Sequence, residues 1–196
     1  MKDNFKILVF LGKSGSGKGT QVELLAQKYN LRIISSGNLL RERKKQDDFV
    51  GRRISEIIDK GGLVATPIIF HLWLHELERL REDENASGII FEGSPRKLYE
   101  AYMLNETMEF YQLAGNTMAL HLDISDQESL KRLLARGRND DEEQAIRKRL
   151  GWYQKEVMPV IDFYQAEGKL IHIQGEQAIE NVHKEILEKV HSFFEK

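Results

Sequence analysis

One segment constrains this chain more than any other: Gly12-Lys13-Ser14-Gly15-Ser16-Gly17-Lys18-Gly19-Thr20. Before it stands Ile7-Leu8-Val9-Phe10-Leu11, a short unbroken apolar run. After it, Val22, Leu24, Leu25 and Ala26 recur at helical spacing up to Asn30. This order predicts strand, glycine loop, helix. A continuously apolar strand is buried on both faces, as in a parallel sheet covered by helices. The glycines let successive backbone N–H groups converge on one anion, and the helix aims its positive end at the same point. Lys18 adds a movable cation. Together these parts suit a polyphosphate. The residue after the lysine is Gly19, with Thr20 next, so the motif has the Gly-Lys-Gly-Thr form.

The rest of the chain repeats the alternation. Residues 31–34, 88–91, 117–122 and 170–173 read as further strands. Ser35-Ser36-Gly37-Asn38 reads as a turn capping a helix that starts near Leu39. Residues 48–59 form a helix ended by Gly61-Gly62, and Thr66-Pro67 opens the next. Residues 126–135 are helical, residues 141–166 form a long helix with a kink at Pro159, and residues 179–194 close the chain. Strands alternating with helices predict an α/β fold with a five-stranded, doubly wound parallel sheet. Ligands of such sheets sit beyond the carboxyl ends of the strands. A length of 196 residues suits one domain.

Composition removes several chemistries. The absence of cysteine excludes disulfides, thiol nucleophiles and Cys-ligated zinc, and it fits a reducing compartment. A net charge of −2 gives no basis for bulk nucleic-acid binding. No apolar stretch reaches the length of a membrane span, and the first ten residues do not form a signal peptide. The expectation is therefore a cytoplasmic protein. His71 and His75 share a helix face, but no third ligand accompanies them. His121 and His172 fall in predicted strands and read as core or sheet-edge residues, and Trp73, Trp152 and Tyr153 read as packing.

Five motifs in order carry a resemblance. Gly15-Ser16-Gly17-Lys18-Gly19-Thr20-Gln21 resembles the phosphate loop of the adenylate kinase family of nucleoside monophosphate kinases. Ile34-Ser35-Ser36-Gly37-Asn38-Leu39-Leu40-Arg41 resembles the family's monophosphate-binding segment, and Gly62-Leu63-Val64 its next acceptor contact. Glu92-Gly93-Ser94-Pro95-Arg96 resembles the family's Asp-Gly-Phe-Pro-Arg. Arg136-Gly137-Arg138-Asn139-Asp140-Asp141 with Arg147-Lys148-Arg149-Leu150 resembles a short lid and the helix after it.

The resemblance implies a P-loop nucleoside-triphosphate-hydrolase-like fold, spanning residues 1–196 as one domain. Within it, residues 36–65 would be an acceptor-binding arm and residues 136–141 a short lid. It implies a monomer, with ATP and Mg2+, that phosphorylates a nucleoside monophosphate, AMP before others. Nucleotides are then its partners, with no role for nucleic acid or membrane. Such chemistry needs alignment and charge neutralisation more than a nucleophile. Carried over by position, Gly15, Ser16, Gly17, Lys18, Gly19, Thr20 and Arg132 would bind ATP. Ser36, Arg41, Gly62, Leu63, Val64, Gly93, Arg96 and Glu100 would bind the acceptor. Lys18, Arg96, Arg136, Arg138 and Arg149 would be catalytic. Asp140 and Asp141 would tie the lid closed. Thr20 would lie near the metal, and Glu92 would act on it through water.

The departures from the family pattern concern Lys13, Asn38, Glu92, Ser94 and Glu100. Lys13 puts an additional cation at the mouth of the loop. Glu92 reaches one methylene further than aspartate. Glu100 stands where enzymes acting on AMP usually carry glutamine. A carboxylate only accepts hydrogen bonds, which suits the N1 and 2-amino donors of guanine better than adenine N1. GMP or dGMP is therefore the alternative acceptor. A nucleotide-binding protein with little transfer activity is the alternative from another class.

Overall fold

The computed structural model describes residues 4–137 and 142–195. In chain order the elements are β1 (Lys6–Leu11), α1 (Lys18–Tyr29), β2 (Leu31–Ser35), α2 (Ser36–Arg43), α3 (Phe49–Ile58) and α4 (Thr66–Arg81). There follow β3 (Gly88–Glu92), α5 (Leu98–Phe110), β4 (Thr117–Asp123), α6 (Asp126–Arg136) and α7 (Glu143–Trp152). A π-turn (Tyr153–Val157), α8 (Met158–Ala166), β5 (Leu170–Gln174) and α9 (Ile179–Phe194) complete the chain. The strands form one parallel sheet in the order β2-β3-β1-β4-β5. The chain runs to one side of β1 for β2 and β3 and to the other for β4 and β5. A ligand crevice is expected above the carboxyl end of β1, where that change of side occurs.

All five predicted strands are present, and their apolar content explains the layering. Every residue of β1 is buried. Ile7, Val9, Ile89, Phe91 and Ala119 face a core filled by Ile69, Trp73 and Leu77 of α4, Leu104 and Met108 of α5, and Val160 and Tyr164 of α8. The alternate residues Leu8, Phe10, Ile90, Leu120 and Leu122 face Val22 and Leu25 of α1 and Val182, Ile186 and Val190 of α9. A strand with two buried faces has no polar alternation to show, hence the unbroken apolar runs.

Three local differences from the sequence reading have physical causes. The helix expected to begin near Leu39 begins at Ser36. Ser35 is at once the last residue of β2 and the N-cap, its Oγ accepting the Asn38 N–H. The long helix expected over residues 141–166 with a kink at Pro159 runs without a gap from Glu143 to Ala166, and a π-turn just ahead of Pro159 separates α7 from α8. Pro159 has no N–H and its ring crowds the carbonyl four residues back. The ladder widens just ahead of it, and the Met158 N–H reaches the carbonyl of Tyr153, five residues away. Helix α5 has no counterpart in the sequence pattern. Ala101, Leu104 and Met108 are buried on it, but Tyr99, Tyr102 and Phe110 are apolar and exposed, which blurs any stripe.

His121 of β4 is 5% exposed, hydrogen-bonded through Nε2 to Tyr153 Oη (3.0 Å) and through Nδ1 to His172 Nδ1 of edge strand β5 (3.3 Å). Burial pushes its pKa down to about 4, with Asp123 opposing and His172, Lys13 and Lys18 adding to the drop. An unfolded histidine titrates near 6.5. Between these values the unfolded chain binds more protons, so stability falls as pH drops from about 6.5 towards 4. The loss from this residue approaches about 3 kcal/mol. Urea unfolding at pH 7, 5.5 and 4.5 should show His121→Gln losing less stability on acidification than the parent. Equal losses would remove His121 as the cause.

Candidate active site

Between β1 and α1 the chain turns through Gly12, Gly15 and Gly17 at φ of +142°, +79° and +94°. Two of these positions also lack room. A Cβ on Gly12 would lie 2.5 Å from the Leu122 carbonyl oxygen, and one on Gly15 would lie 3.0 Å from Leu133 of α6. The loop therefore packs directly on β4 and α6. Further bonds fix it there: Ser129 Oγ donates to the Ser14 carbonyl (2.7 Å) and Arg132 Nη1 to the Ser16 carbonyl (3.4 Å).

Lys18 opens α1, and its ammonium folds back over the loop. It donates to the carbonyls of Gly12 (2.7 Å) and Lys13 (2.6 Å) and to Ser16 Oγ (3.4 Å). Burial lowers its pKa from 10.5 to about 8. The Glu92 carboxylate opposes that drop, while Arg96 and Arg136 add to it. Gly19 and Thr20 lie exposed in the first turn of the helix.

The carboxyl ends of β2 and β3 supply the next layer. Ser35 and Glu92 are register partners, and Ser35 Oγ donates to Glu92 Oε2 (2.6 Å). Beside them the buried hydroxyls of Ser36 and Ser94 bond each other (2.6 Å). Arg96 hangs over this edge, with Nε donating to the Gly93 carbonyl (2.6 Å) and the guanidinium carbon 5.7 Å from the centre of the Trp152 ring. Burial pulls the Arg96 pKa below its ordinary value. Glu92 and Glu100 oppose the shift, while Arg149 and Arg41 add to it.

Five cations from separate segments thus form one electrostatic cluster: Arg96 and Arg136 act on Lys18, Arg149 and Arg41 act on Arg96, and Glu92 acts on both Lys18 and Arg96. Arg41 projects from α2, where Asn38 Oδ1 accepts from its Nη2. Arg132 takes a different position. Its guanidinium joins Glu128, the phosphate loop and the Gly175 carbonyl beyond β5 (3.1 Å). Arg138, Asp140 and Asp141 lie outside the described residues.

A small cleft next to Arg96 is lined by residues that the sequence assigned to the acceptor: Ser36, Leu63, Val64, Gly93 and Glu100, joined by Leu40 and Ile69. Gly62 belongs to the turn below it, its N–H bonded to the Ile57 carbonyl (2.9 Å). Glu100 is 5% exposed. Its Oε2 accepts the Arg96 backbone N–H (2.7 Å) and its Oε1 accepts Thr66 Oγ1 (3.2 Å). Both oxygens thus have partners inside the protein. They join the start of α4 to the residue that carries the guanidinium.

Two residues do more than the sequence indicated. Trp152, read as packing, donates Nε1–H to the Gly61 carbonyl (3.0 Å) and so ties the end of α7 to the turn before α4. Lys13, expected at the mouth of the loop, is 8% exposed, with its ammonium turned to the β4–α6 connection. No side-chain pattern separates a buried lysine from an exposed one, so neither role could be read in advance.

Comparison with known proteins agrees with this geometry. The sequence model of the adenylate kinase family matches residues 10–169. Adenylate kinase 1 of Nostoc sp. is 37% identical over 179 residues, covering 91% of this chain and 95% of its own. The adenylate kinase of Leptospira biflexa is 35% identical over 189 residues, covering 94% and 100%. That of Corynebacterium urealyticum is 36% identical over 175 residues, covering 89% and 93%.

Proposed function

Because the chain belongs to the adenylate kinase family of phosphotransferases, we propose that it transfers the γ-phosphoryl group of ATP to AMP. The observation that carries this reading is the cation cluster above the carboxyl ends of β1 and β3. Two nucleotides bring several phosphates into one crevice, and transfer between them requires that charge to be neutralised and the ends aligned. An acceptor without phosphate would give Arg41 and Arg96 nothing to hold.

In this reading the loop of Gly15, Ser16, Gly17, Gly19 and Thr20 cradles the donor phosphates through backbone N–H groups, while the Ser16 N–H stays on the Lys13 carbonyl (3.2 Å). Lys18 moves from the loop carbonyls to the β- and γ-phosphates. Arg132 borders the donor base, next to Gly175. Arg41 and Arg96 clamp the α-phosphate of AMP, whose base enters the cleft of Leu40, Leu63, Val64 and Ile69. Arg136 and Arg149, with Arg138, surround the phosphoryl group as it moves. Residues 36–65 act as the acceptor arm and residues 136–141 as a short lid, with Asp140 and Asp141 holding it closed.

Magnesium, when bound with ATP, neutralises phosphate charge. Thr20 and Glu92 are the residues that would hold it, Glu92 through water. Their donor set fits. Among the described residues no three His, Cys, Asp or Glu side chains come together as a metal cage. A hydroxyl and a carboxylate suit a hard cation that takes its other ligands from phosphate and water.

We infer a cytoplasmic monomer: the lack of cysteine fits a reducing compartment, and among the described residues no helix is long and apolar enough to cross a membrane. AMP is favoured over GMP because the relatives named above are adenylate kinases and both Glu100 oxygens already have donors. The test is transfer from Mg-ATP to AMP, GMP, dGMP, CMP and UMP, compared by kcat/KM. AMP should lead. A lead for GMP or dGMP would overturn the AMP assignment, and no transfer to any acceptor would overturn the enzyme reading.

A further inference from the structure

Lys13 is a buried ammonium within the phosphate loop, and the reading above gives it no contact with either nucleotide. Its Nζ donates to the carbonyl oxygen of Ile124 (2.6 Å) and pairs with Asp126 Oδ1 (2.9 Å). It also lies 5.6 Å from the centre of the Tyr153 ring. Ile124 and Asp126 bracket the start of α6, the helix of Arg132 and Arg136. Tyr153 opens the π-turn directly after α7, the helix of Arg149. The backbone of the same residue holds the phosphate lysine. The Lys13 carbonyl accepts from Lys18 Nζ (2.6 Å) and from the Ser16 N–H (3.2 Å). A buried charge is retained only where its partners compensate for lost water. The compensation here ties the phosphate loop to the segments that carry the arginines.

We propose that Lys13 is a positioning residue for the donor site: its ammonium fixes the phosphate loop against the start of α6, so that Lys18 and the α6 arginines meet one triphosphate in register. The inference rests on the donor-site assignment above and adds a residue that touches neither nucleotide. It differs from a simple charge effect. A lysine near ATP would also help by attraction alone, and in that case neutralising Asp126 would tighten ATP binding. Under the tether, neutralising Asp126 weakens binding, because it releases the ammonium. The Asp126 side chain is 56% exposed, so Asp126→Asn buries no new polar group, and the Ile124 carbonyl remains as a partner for the Lys13 ammonium.

The experiment is calorimetric titration of Mg-ATP, without acceptor, into the parent, Lys13→Met, Asp126→Asn and the double variant. Steady-state KM values for ATP and AMP and melting temperatures accompany it. The expected result is a rise in ATP Kd of about tenfold for Lys13→Met and about threefold for Asp126→Asn, as expected for lost charge-assisted bonds. The double variant should match Lys13→Met, because the two residues act through one bond. KM for AMP should stay within about twofold of the parent.

Tighter ATP binding in Asp126→Asn, additive effects in the double variant, or equal rises in both KM values would overturn the proposal. So would an unchanged ATP Kd in Lys13→Met. If Lys13→Met does not fold, Asp126→Asn decides alone: weaker ATP binding supports the tether and unchanged binding overturns it. Failure of the functional reading would appear in the parent protein, as absent ATP binding or absent transfer. Failure of this inference would appear only as differences between variants.

Discussion

Replacing Lys18 by Met is expected to lower kcat/KM for phosphoryl transfer by about 10³-fold, the loss seen when one preorganised charge-stabilising donor is removed from an active site. The methionine keeps the length of the stem and removes the ammonium. Two loop carbonyls, of Gly12 and Lys13, lose a donor, but a desolvated charge is removed with it. The opposing terms leave the melting temperature within a few degrees, so activity and fold separate. The same ammonium gives the reaction a basic limb. Its pKa of about 8 in the free protein means that the charged form declines above that pH. Since kcat/KM follows the free enzyme, kcat/KM for ATP should fall above pH 8, while bound phosphates hold the limb of kcat at higher pH. A Lys18→Met enzyme that retains a tenth of parental transfer would remove Lys18 from the reaction. A flat kcat/KM profile from pH 7 to 9.5 would remove the titration argument.

The five strands and the phosphate loop were legible because their signals are local. An apolar run that ends in glycines admits few backbones, and Gly12, Gly15 and Gly17 do adopt positive φ. The cation cluster was legible only through the order of motifs. Arg96 and Arg149 are 53 residues apart in sequence, and nothing in either segment alone shows that they act on each other. Charge partners were the least legible feature. Lys13 lies within a recognisable motif and Glu100 four residues beyond one, yet both turn inward to partners more than thirty residues away. A charged side chain is more often solvated than buried, and a single sequence carries no mark of the exception. The missed α5 has the same origin. Its exposed Tyr99, Tyr102 and Phe110 hide the buried stripe that would have revealed it.

Arg96→Lys is expected to test the acceptor clamp while leaving the Glu100 contact to the Arg96 backbone in place. The substitution keeps the charge but not the fork. In the parent, Arg96 Nε is committed to the Gly93 carbonyl, and the two terminal nitrogens stay available to the acceptor phosphate as a planar pair. A lysine offers one nitrogen, which cannot hold the Gly93 carbonyl and meet a phosphate in bidentate geometry together. Its compact ammonium would also fit poorly over the Trp152 ring, which now lies 5.7 Å from the guanidinium carbon. The backbone contact from Arg96 N–H to Glu100 survives, because it does not involve the side chain. The fold at the start of α5 should therefore persist, with the loss confined to the acceptor. KM for AMP should rise by about 30- to 100-fold, equivalent to about 2–3 kcal/mol, while KM for ATP changes by less than about twofold. Equal rises in both would mean that Arg96 supports the whole crevice instead of clamping one phosphate. An unchanged KM for AMP would move the clamp elsewhere, and Arg41, an exposed member of the same cluster, would be the residue to replace next.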